Sequence, residues 1–306
     1  MSHPQTLDDT PPASTSAAQA EPLLAAEGLT RRFAVGRNLP LLGGGRTLTA
    51  VSDVSFRVAE GETVGLVGES GCGKSTIGKL ALGLLAPSAG KVLYRGELIP
   101  TDQGAAWRAL RRQMQMVFQN PYGALNPRLT VGSQVRELLD THDVGAPAER
   151  SGRVDALFEQ VGLRTHMKGR YPHQMSGGQL QRAVIARALA VSPSFIVCDE
   201  AVDALDVSIQ AQVINLLQDL QAERGLTYLF ISHDLGVVRH VCDRILVMYL
   251  GRLVEEGPVD ALFAHPRHPY TAALLDAAPD PDPAARRVVP PLQGDPPSPL
   301  DPPSGC

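Results

Sequence analysis

The sequence predicts an α/β fold built on a mainly parallel sheet, and three observations carry that reading. Short apolar runs alternate with stretches of helical spacing. A glycine-rich loop joins one such run to a helical pattern, and two adjacent acids close another run. In chain order, residues 51–58 form a strand-like stretch, followed by a turn at Glu60-Gly61-Glu62. Residues 63–67 (TVGLV) read as a buried strand that enters the glycine loop. Beyond it Ile77, Leu80, Ala81 and Leu84 recur at helical spacing toward Pro87. Further strands are expected at 114–118, 195–198, 227–231 and 244–249, and helices at 131–139, 153–161, 179–190 and 207–220. In the last of these Ile209, Val213, Leu216, Leu217 and Leu220 share one face. Residues 120–190 carry no strand signal and read as a helical insertion.

Composition narrows the function classes. The 306 residues are 43% hydrophobic with a net charge of −4, enough for a sizeable core and incompatible with disorder throughout. No apolar run approaches the roughly 18 residues a spanning helix needs. The first 22 residues lack the charged-then-apolar pattern of a secretion signal, so a soluble or peripheral protein is expected. Fourteen of the 25 prolines lie in residues 1–22 and 279–306, which read as solvated tails or extended docking segments. Those ends hold the net negative charge, leaving a nearly neutral body without the basic footprint of a nucleic-acid binder. Cys72, Cys198, Cys242 and Cys306 show no CxxC pair, and reduced thiols are expected.

Gly68-Glu69-Ser70-Gly71-Cys72-Gly73-Lys74-Ser75 fits GxxxxGK[ST] between a strand and a helix. Glycines let backbone N–H groups turn inward around phosphate oxygens, and the helix N-terminus adds positive potential. Lys74, one of only four lysines, would reach the β- and γ-phosphates, and Ser75 would ligate Mg²⁺. An ordinary glycine turn is the alternative, yet four glycines in nine residues cost flexibility that a loop without a ligand has little reason to carry.

The apolar run Phe195-Ile196-Val197-Cys198 ends in Asp199-Glu200. Acids at the C-terminal end of a central strand stand where α/β folds bind ligands. Asp199 would hold the metal, and Glu200 would orient or deprotonate an attacking water. Farther upstream, Ser176-Gly177-Gly178-Gln179 opens an amphipathic helix with S-x-x-Q capping-box spacing. A well-capped helix would explain Ser176 and Gln179. Two glycines in a first turn suit instead the close approach of an anion. A second phosphate-reading helix start beside an existing phosphate loop implies two subunits head to tail, each completing the other's nucleotide site.

With these residues in view, the sequence resembles the ATP-binding cassette superfamily over about residues 25–278. The loop at 68–75, Gln119, Ser176–Gln179, Asp199-Glu200, Ala204-Leu205-Asp206 and His233 occur in the family's order and approximate spacing. The resemblance implies a P-loop NTPase (RecA-like) core with an antiparallel β subdomain and a helical subdomain. It divides the chain into a disordered tail (1–22), a cassette domain (23–264, helical subdomain about 120–190) and a C-terminal extension (265–306). It implies ATP and Mg²⁺ as cofactors. Gly68, Glu69, Ser70, Gly71, Cys72, Gly73, Lys74, Ser75 and Thr76 would surround the phosphates, with Ser75, Gln119 and Asp199 at the metal. Glu200, Gln119 and His233 would act in hydrolysis. Ser176, Gly177, Gly178 and Gln179 would meet the γ-phosphate held by the opposite subunit, with Asp206 at the dimer interface. Phe33, in Thr30-Arg31-Arg32-Phe33, looks like the aromatic that stacks on adenine, although a lone Phe near a first strand is equally a core residue.

Finer motifs resemble the ATPases of oligopeptide and dipeptide importers, with nickel importers as close relatives and as an alternative. They are Phe118-Gln119-Asn120-Pro121-Tyr122-Gly123-Ala124-Leu125-Asn126-Pro127-Arg128, ALDVSIQ at 204–210, and His265-Pro266-Arg267-His268-Pro269-Tyr270-Thr271. The resemblance is to the second of two ATPases in such systems. It implies a non-identical sibling ATPase, two multispanning permease subunits docked near residues 119–130, and indirectly an extracytoplasmic solute-binding protein. The location implied is peripheral, at the cytoplasmic face of the membrane. His265 and His268, between prolines, read as a surface segment rather than a metal site. A cassette ATPase acting on nucleic acid or ribosomes is the alternative of another class. The single cassette, the neutral body and the lack of a long heptad insertion speak against it. Two departures stand out. Asp203 occupies a position where the family most often has Ser, and is expected to pair with a basic group of the partner subunit. The C-terminal extension reads as stopping at Cys306, short of the further cysteines some relatives use for an iron–sulfur cluster, which is therefore not expected. Cys72, beside Lys74 at a helix start, is expected to have a depressed pKa and to be shielded from alkylation by ATP.

Overall fold

The computed structural model describes residues 21–35, 46–100, 102, 104–277, 297, 298 and 300. Most of the Pro-rich ends, with Cys306, lies outside the described residues. The strands are β1 (Leu24–Val35), β2 (Arg46–Val58), β3 (Thr63–Val67), β4 (Ala89–Tyr94), β5 (Glu97–Leu98), β6 (Met114–Val117), β7 (Phe195–Asp199), β8 (Thr227–Ile231), β9 (Arg244–Tyr249) and β10 (Arg252–Pro258). The α-helices are α1 (Lys74–Ala81), α2 (Ala105–Gln113), α3 (Pro121–Ala124), α4 (Val131–Thr141), α5 (Arg150–Gln160), α6 (Gly177–Leu189), α7 (Val207–Arg224), α8 (Leu235–Val241), α9 (Val259–Ala264) and α10 (Pro269–Asp276).

The central sheet runs β10-β9-β3-β8-β7-β6 and is parallel except for the antiparallel edge strand β10. Its inner strands are apolar on both faces because both faces are covered. Val64 and Leu66 on β3, Val197 on β7 and Leu229 and Ile231 on β8 join one core with α1 and the second sheet. The alternate residues Val67, Ile196, Cys198, Tyr228 and Phe230 join the other core with α6, α7 and α8. Period-two alternation thus divides one sheet between two cores. The hairpin from β9 to β10 turns through Leu250 and Gly251, both at positive φ (43° and 82°), the backbone pattern of a tight two-residue turn.

The second sheet, β2-β1-β4-β5, is antiparallel. The strand expected at 51–58 begins earlier, at Arg46, and β1 is its partner. The helix expected to run toward Pro87 stops at Ala81, because Gly83 adopts φ 62° and Leu84 and Leu85 turn their N–H groups back to the Lys79 carbonyl. Between Pro121 and Leu189 the described residues form helices and no strand. Phe158, fully buried on α5, anchors that region with Val135, Leu139, Leu180 and Val184. No helix among the described residues is long and apolar enough to cross a membrane.

Candidate nucleotide site

β3 ends in the loop that precedes α1, and the sequence of this loop leaves little conformational choice. Gly68 and Gly73 lie at φ 151° and 113°. A Cβ would meet the Met248 carbonyl oxygen at 2.2 Å in the first case and the Ala50 carbonyl oxygen at 2.3 Å in the second. Only glycine fits both the dihedral and the space. Glu69, Ser70 and Gly71 form the exposed tip, while Ser75 and Thr76 are half-buried in the first turn of α1. The Lys74 side chain is buried and its Nζ donates to the carbonyls of Gly68 (2.7 Å) and Glu69 (2.8 Å).

The acids of β7 sit against this loop. Ser75 Oγ donates to Asp199 Oδ1 at 2.8 Å, tying the start of α1 to the end of β7. Burial pushes the Asp199 carboxyl above its usual range; the Ser75 hydrogen bond opposes that shift and the neighbouring Glu200 charge adds to it. Glu200 takes φ 49°, a left-handed backbone uncommon outside glycine, while its N–H donates to the Ile231 carbonyl. That bend turns the chain sharply out of the strand. Its Oε2 accepts from Gln119 Nε2 at 2.6 Å. The oxygen donors of Ser75, Asp199 and Gln119 form a hard set with no thiolate or imidazole, which fits Mg²⁺.

His233 follows β8, and its Nδ1 lies 2.8 Å from Asp203 Oδ2. Asp203 Oδ1 accepts from Ser232 Oγ at 2.8 Å, and Oδ2 also accepts from the His233 N–H at 3.3 Å. The Asp203 side chain is only 2% exposed, so its carboxylate is engaged within the chain. This corrects the expectation of a basic partner on another subunit: the residue found in place of Ser clamps His233. The sequence signal was the acid itself; its partner, 30 residues away, was not legible. We expect Asp203→Ser to lower ATP turnover roughly tenfold, the loss of one charge-assisted hydrogen bond, with ATP affinity unchanged. The ¹⁵N shifts of the His233 ring should report the lost Nδ1 contact. Unchanged turnover and unchanged shifts would show that the clamp does not operate.

The cysteine expectation is also corrected. Cys72 is buried, and burial pushes its thiol up, outweighing the lowering influence of Lys74. It contributes through its backbone, its N–H donating to the Glu69 carbonyl and its carbonyl accepting from the Gly251 N–H.

The structure brings the 68–76 loop, Asp199, Glu200 and Gln119 together, with His233 reached through Asp203. Ser176–Gln179 are placed elsewhere. Ser176 Oγ accepts from the Gln179 N–H (3.3 Å) and Gln179 Oε1 accepts from the Ser176 N–H (3.2 Å), a reciprocal cap on α6. A Cβ on Gly178 would meet Ile209 Cγ2 of α7 at 2.3 Å, so that glycine serves helix packing, whereas Gly177 has ordinary room. Asp206 is exposed at the N-cap of α7. Among the described residues no hydrogen bond joins Ser176–Gln179 to the phosphate loop. Phe33 is half-exposed on β1, with the Arg31 guanidinium 4.7 Å above one face of its ring. His268 Nδ1 accepts from the Tyr270 N–H, a capping role rather than a metal ligand's.

Comparison with known proteins agrees with this geometry. Residues 51–203 match the family described as ABC transporter, and residues 254–306 match the oligopeptide/dipeptide transporter C-terminal region. A probable peptide ABC transporter ATP-binding protein of Sinorhizobium fredii is 51% identical over 292 residues, covering 94% of this chain and 81% of the relative. A putative peptide import ATP-binding protein of Brucella ovis is 50% identical over 285 residues, covering 93% and 87%. Among solved structures, cbiO1 of Clostridium perfringens, part of the ABC transporter complex cbiONQ, superposes with a TM-score of 0.67 at 28% identity, covering 80% of this chain and 91% of that one. The ATP-binding cassette MJ0796, solved as a dimer in a post-hydrolysis state with ADP and Pi, gives 0.68 at 29% identity, covering 77% and 98%. The match over residues 51–203 and the relatives at about half identity show that the chain belongs to the ATP-binding proteins of ABC transporters.

Proposed function

We propose that this chain is one of two non-identical ATPases of a peptide importer, closing head to tail with its sibling over two ATP molecules. The observation that carries the pairing is the separation just described: one chain holds a complete phosphate loop and a second glycine-bearing helix start that packs elsewhere. In the pair, Ser176, Gly177, Gly178 and Gln179 meet the γ-phosphate on the opposite subunit, and Asp206 lies at the seam. The names of the relatives support a peptide as cargo.

Within its own site, Lys74 and the loop N–H groups hold the β- and γ-phosphates, and Phe33 offers its open face to adenine. Ser75, Asp199 and Gln119 would hold Mg²⁺, which when bound neutralises phosphate charge. Glu200, aimed by its bent backbone and by Gln119, orients the attacking water and accepts its proton. His233, with Nδ1 on Asp203, presents Nε2 to the γ-phosphate. Nucleotide binding drives closure and hydrolysis releases it.

A groove of about 220 Å³ between α6 and the β6 edge supports docking on two multispanning permease subunits. Leu84 and Phe118 are exposed apolar side chains that line it. Arg111, stacked on Trp107, lines the groove with Nε and Nη2 buried and without hydrogen-bond partners, and burial lowers its pKa to about 10. Such a cation favours an acidic side chain or helix-end carbonyls from the docked partner. In such an assembly the chain lies at the cytoplasmic face of the membrane, with an extracytoplasmic solute-binding protein across it.

The test is a pull-down of tagged Glu200→Gln from native membranes in detergent with Mg-ATP, read by mass spectrometry. Two multispanning subunits and a second ATPase are expected. Recovery of the chain alone, or of ribosomal or DNA-bound proteins, would overturn the importer reading.

A further inference from the structure

The C-terminal segment that follows the cassette touches the phosphate loop through a buried tyrosine. Tyr270, on α10, is only 4% exposed, and its hydroxyl oxygen accepts from the Glu69 N–H at 3.0 Å. The contact spans 201 residues of sequence. It falls on the peptide unit between Gly68 and Glu69, whose other polar end, the Gly68 carbonyl, accepts from Lys74 Nζ at 2.7 Å. A peptide unit is planar, so pinning its N–H also fixes the direction of its C=O. The tyrosine therefore sets one side of the plane on whose other side the phosphate-binding lysine rests.

The segment is built to hold that hydroxyl still. Glu255, on β10, accepts the Arg267 N–H through Oε1 (2.8 Å) and the His268 N–H through Oε2 (3.0 Å). His268 then caps α10 by accepting the Tyr270 N–H at Nδ1 (3.1 Å), and Pro269 occupies the first helical position, where its missing N–H costs nothing. The Tyr249 and Tyr270 rings meet at 4.4 Å between centroids. Glu255, His268, Pro269 and Tyr270 thus form a strut from the edge of the central sheet to the phosphate loop. Burial raises the phenol above its usual pKa, so it stays protonated across the physiological range.

We propose that Tyr270 is a positioning residue for ATP binding: through the Gly68–Glu69 peptide, the C-terminal segment holds the phosphate loop and Lys74 in the nucleotide-ready arrangement. Without the hydroxyl, the part-buried Glu69 N–H loses its partner, and the peptide rotates to hydrate it. The competent loop becomes a fraction of the population, and apparent ATP affinity falls by that fraction. Saturating ATP restores the arrangement, so turnover at saturation is preserved.

The experiment compares wild type, Tyr270→Phe and Tyr249→Phe in the full chain, measuring KM for ATP, kcat, thermal midpoint and hydrogen exchange of the loop. Tyr270→Phe is expected to raise KM about five- to tenfold with kcat within about twofold, and to speed exchange at Glu69. Tyr249→Phe, which keeps the ring and leaves the Tyr270 hydroxyl in place, should do neither. A purely structural role would lower the thermal midpoint without moving KM, and unchanged KM and exchange would overturn the proposal. If Tyr270→Phe folds poorly, Glu255→Ala loosens the strut while leaving Tyr270 in place, and it must raise KM in the same direction. The inference rests on the loop being the ATP site. Lys74→Ala tests that separately, since retained ATP binding there would sink the site itself rather than the strut.

Discussion

Glu200→Gln should lower ATP turnover by about 10²–10⁴ while leaving ATP affinity close to wild type. The substitution is nearly isosteric. A glutamine amide oxygen still accepts from Gln119 Nε2, so the 2.6 Å contact that aims the side chain survives. The bent backbone at φ 49° is unaffected by the side-chain change. What is lost is the base: an amide does not take a proton from water. ATP-bound chains should therefore accumulate, and the proposed pair of ATPase subunits should become longer-lived in size-exclusion chromatography with Mg-ATP. Turnover within about threefold of wild type would move the general base to another group.

Lys74→Ala should weaken ATP binding by at least about 100-fold, since charge-assisted hydrogen bonds contribute roughly 1.5–3 kcal/mol each. Lys74 is 4% exposed and rests on two loop carbonyls. Its ammonium charge is thus held at the mouth of the glycine turn. Of the two carbonyls it leaves behind, that of Glu69 is part-buried beside the exposed tip, where water replaces the lost donor, while that of Gly68 is buried. The thermal midpoint should fall by a few degrees at most, the cost of about one unpaired buried acceptor, and binding of a fluorescent ATP analogue should show the larger loss. Arginine is not a substitute, because its planar fork does not enter a niche shaped for a single ammonium. Wild-type affinity in Lys74→Ala would place the nucleotide elsewhere.

The parts of this protein most legible in sequence are those in which local pattern and tertiary environment agree. The strands at 63–67, 195–199, 227–231 and 244–249 are unbroken apolar runs because each is covered on both faces. The loop and Asp199-Glu200 are contiguous motifs whose spacing is itself the chemistry. β1 was not legible, since register shifts between Ala26 and Leu29, and again near Arg31, break its alternation. β10 was missed because its residues are half-exposed and rich in glutamate. α2 buries no residue, and Trp107 and Leu110 are its only large apolar side chains, too short a stripe to stand out in the sequence. At the site, what escaped was pairing at a distance. Asp203 finds Ser232 and His233, and Glu69 finds Tyr270, across separations no local window spans. The Cys72 expectation failed for a related reason: sequence shows the nearby lysine and helix start but not the burial that outweighs them.

The strut from β10 has a consequence for how such chains can be recombined. A boundary drawn at residue 264 would leave Glu255 in one parent and the two N–H groups it receives, those of Arg267 and His268, in the other. A second severed contact, Tyr270 to Glu69, would lie within the loop itself. The Leu250-Gly251 hairpin that precedes β10 is the better seam, since the family region of the C-terminal segment begins at 254. Even there, the incoming tyrosine must suit the incoming loop. Chimeras of two such subunits should therefore inherit nucleotide affinity from the match between their halves, and tail and cassette are expected to drift through evolution as one inherited unit.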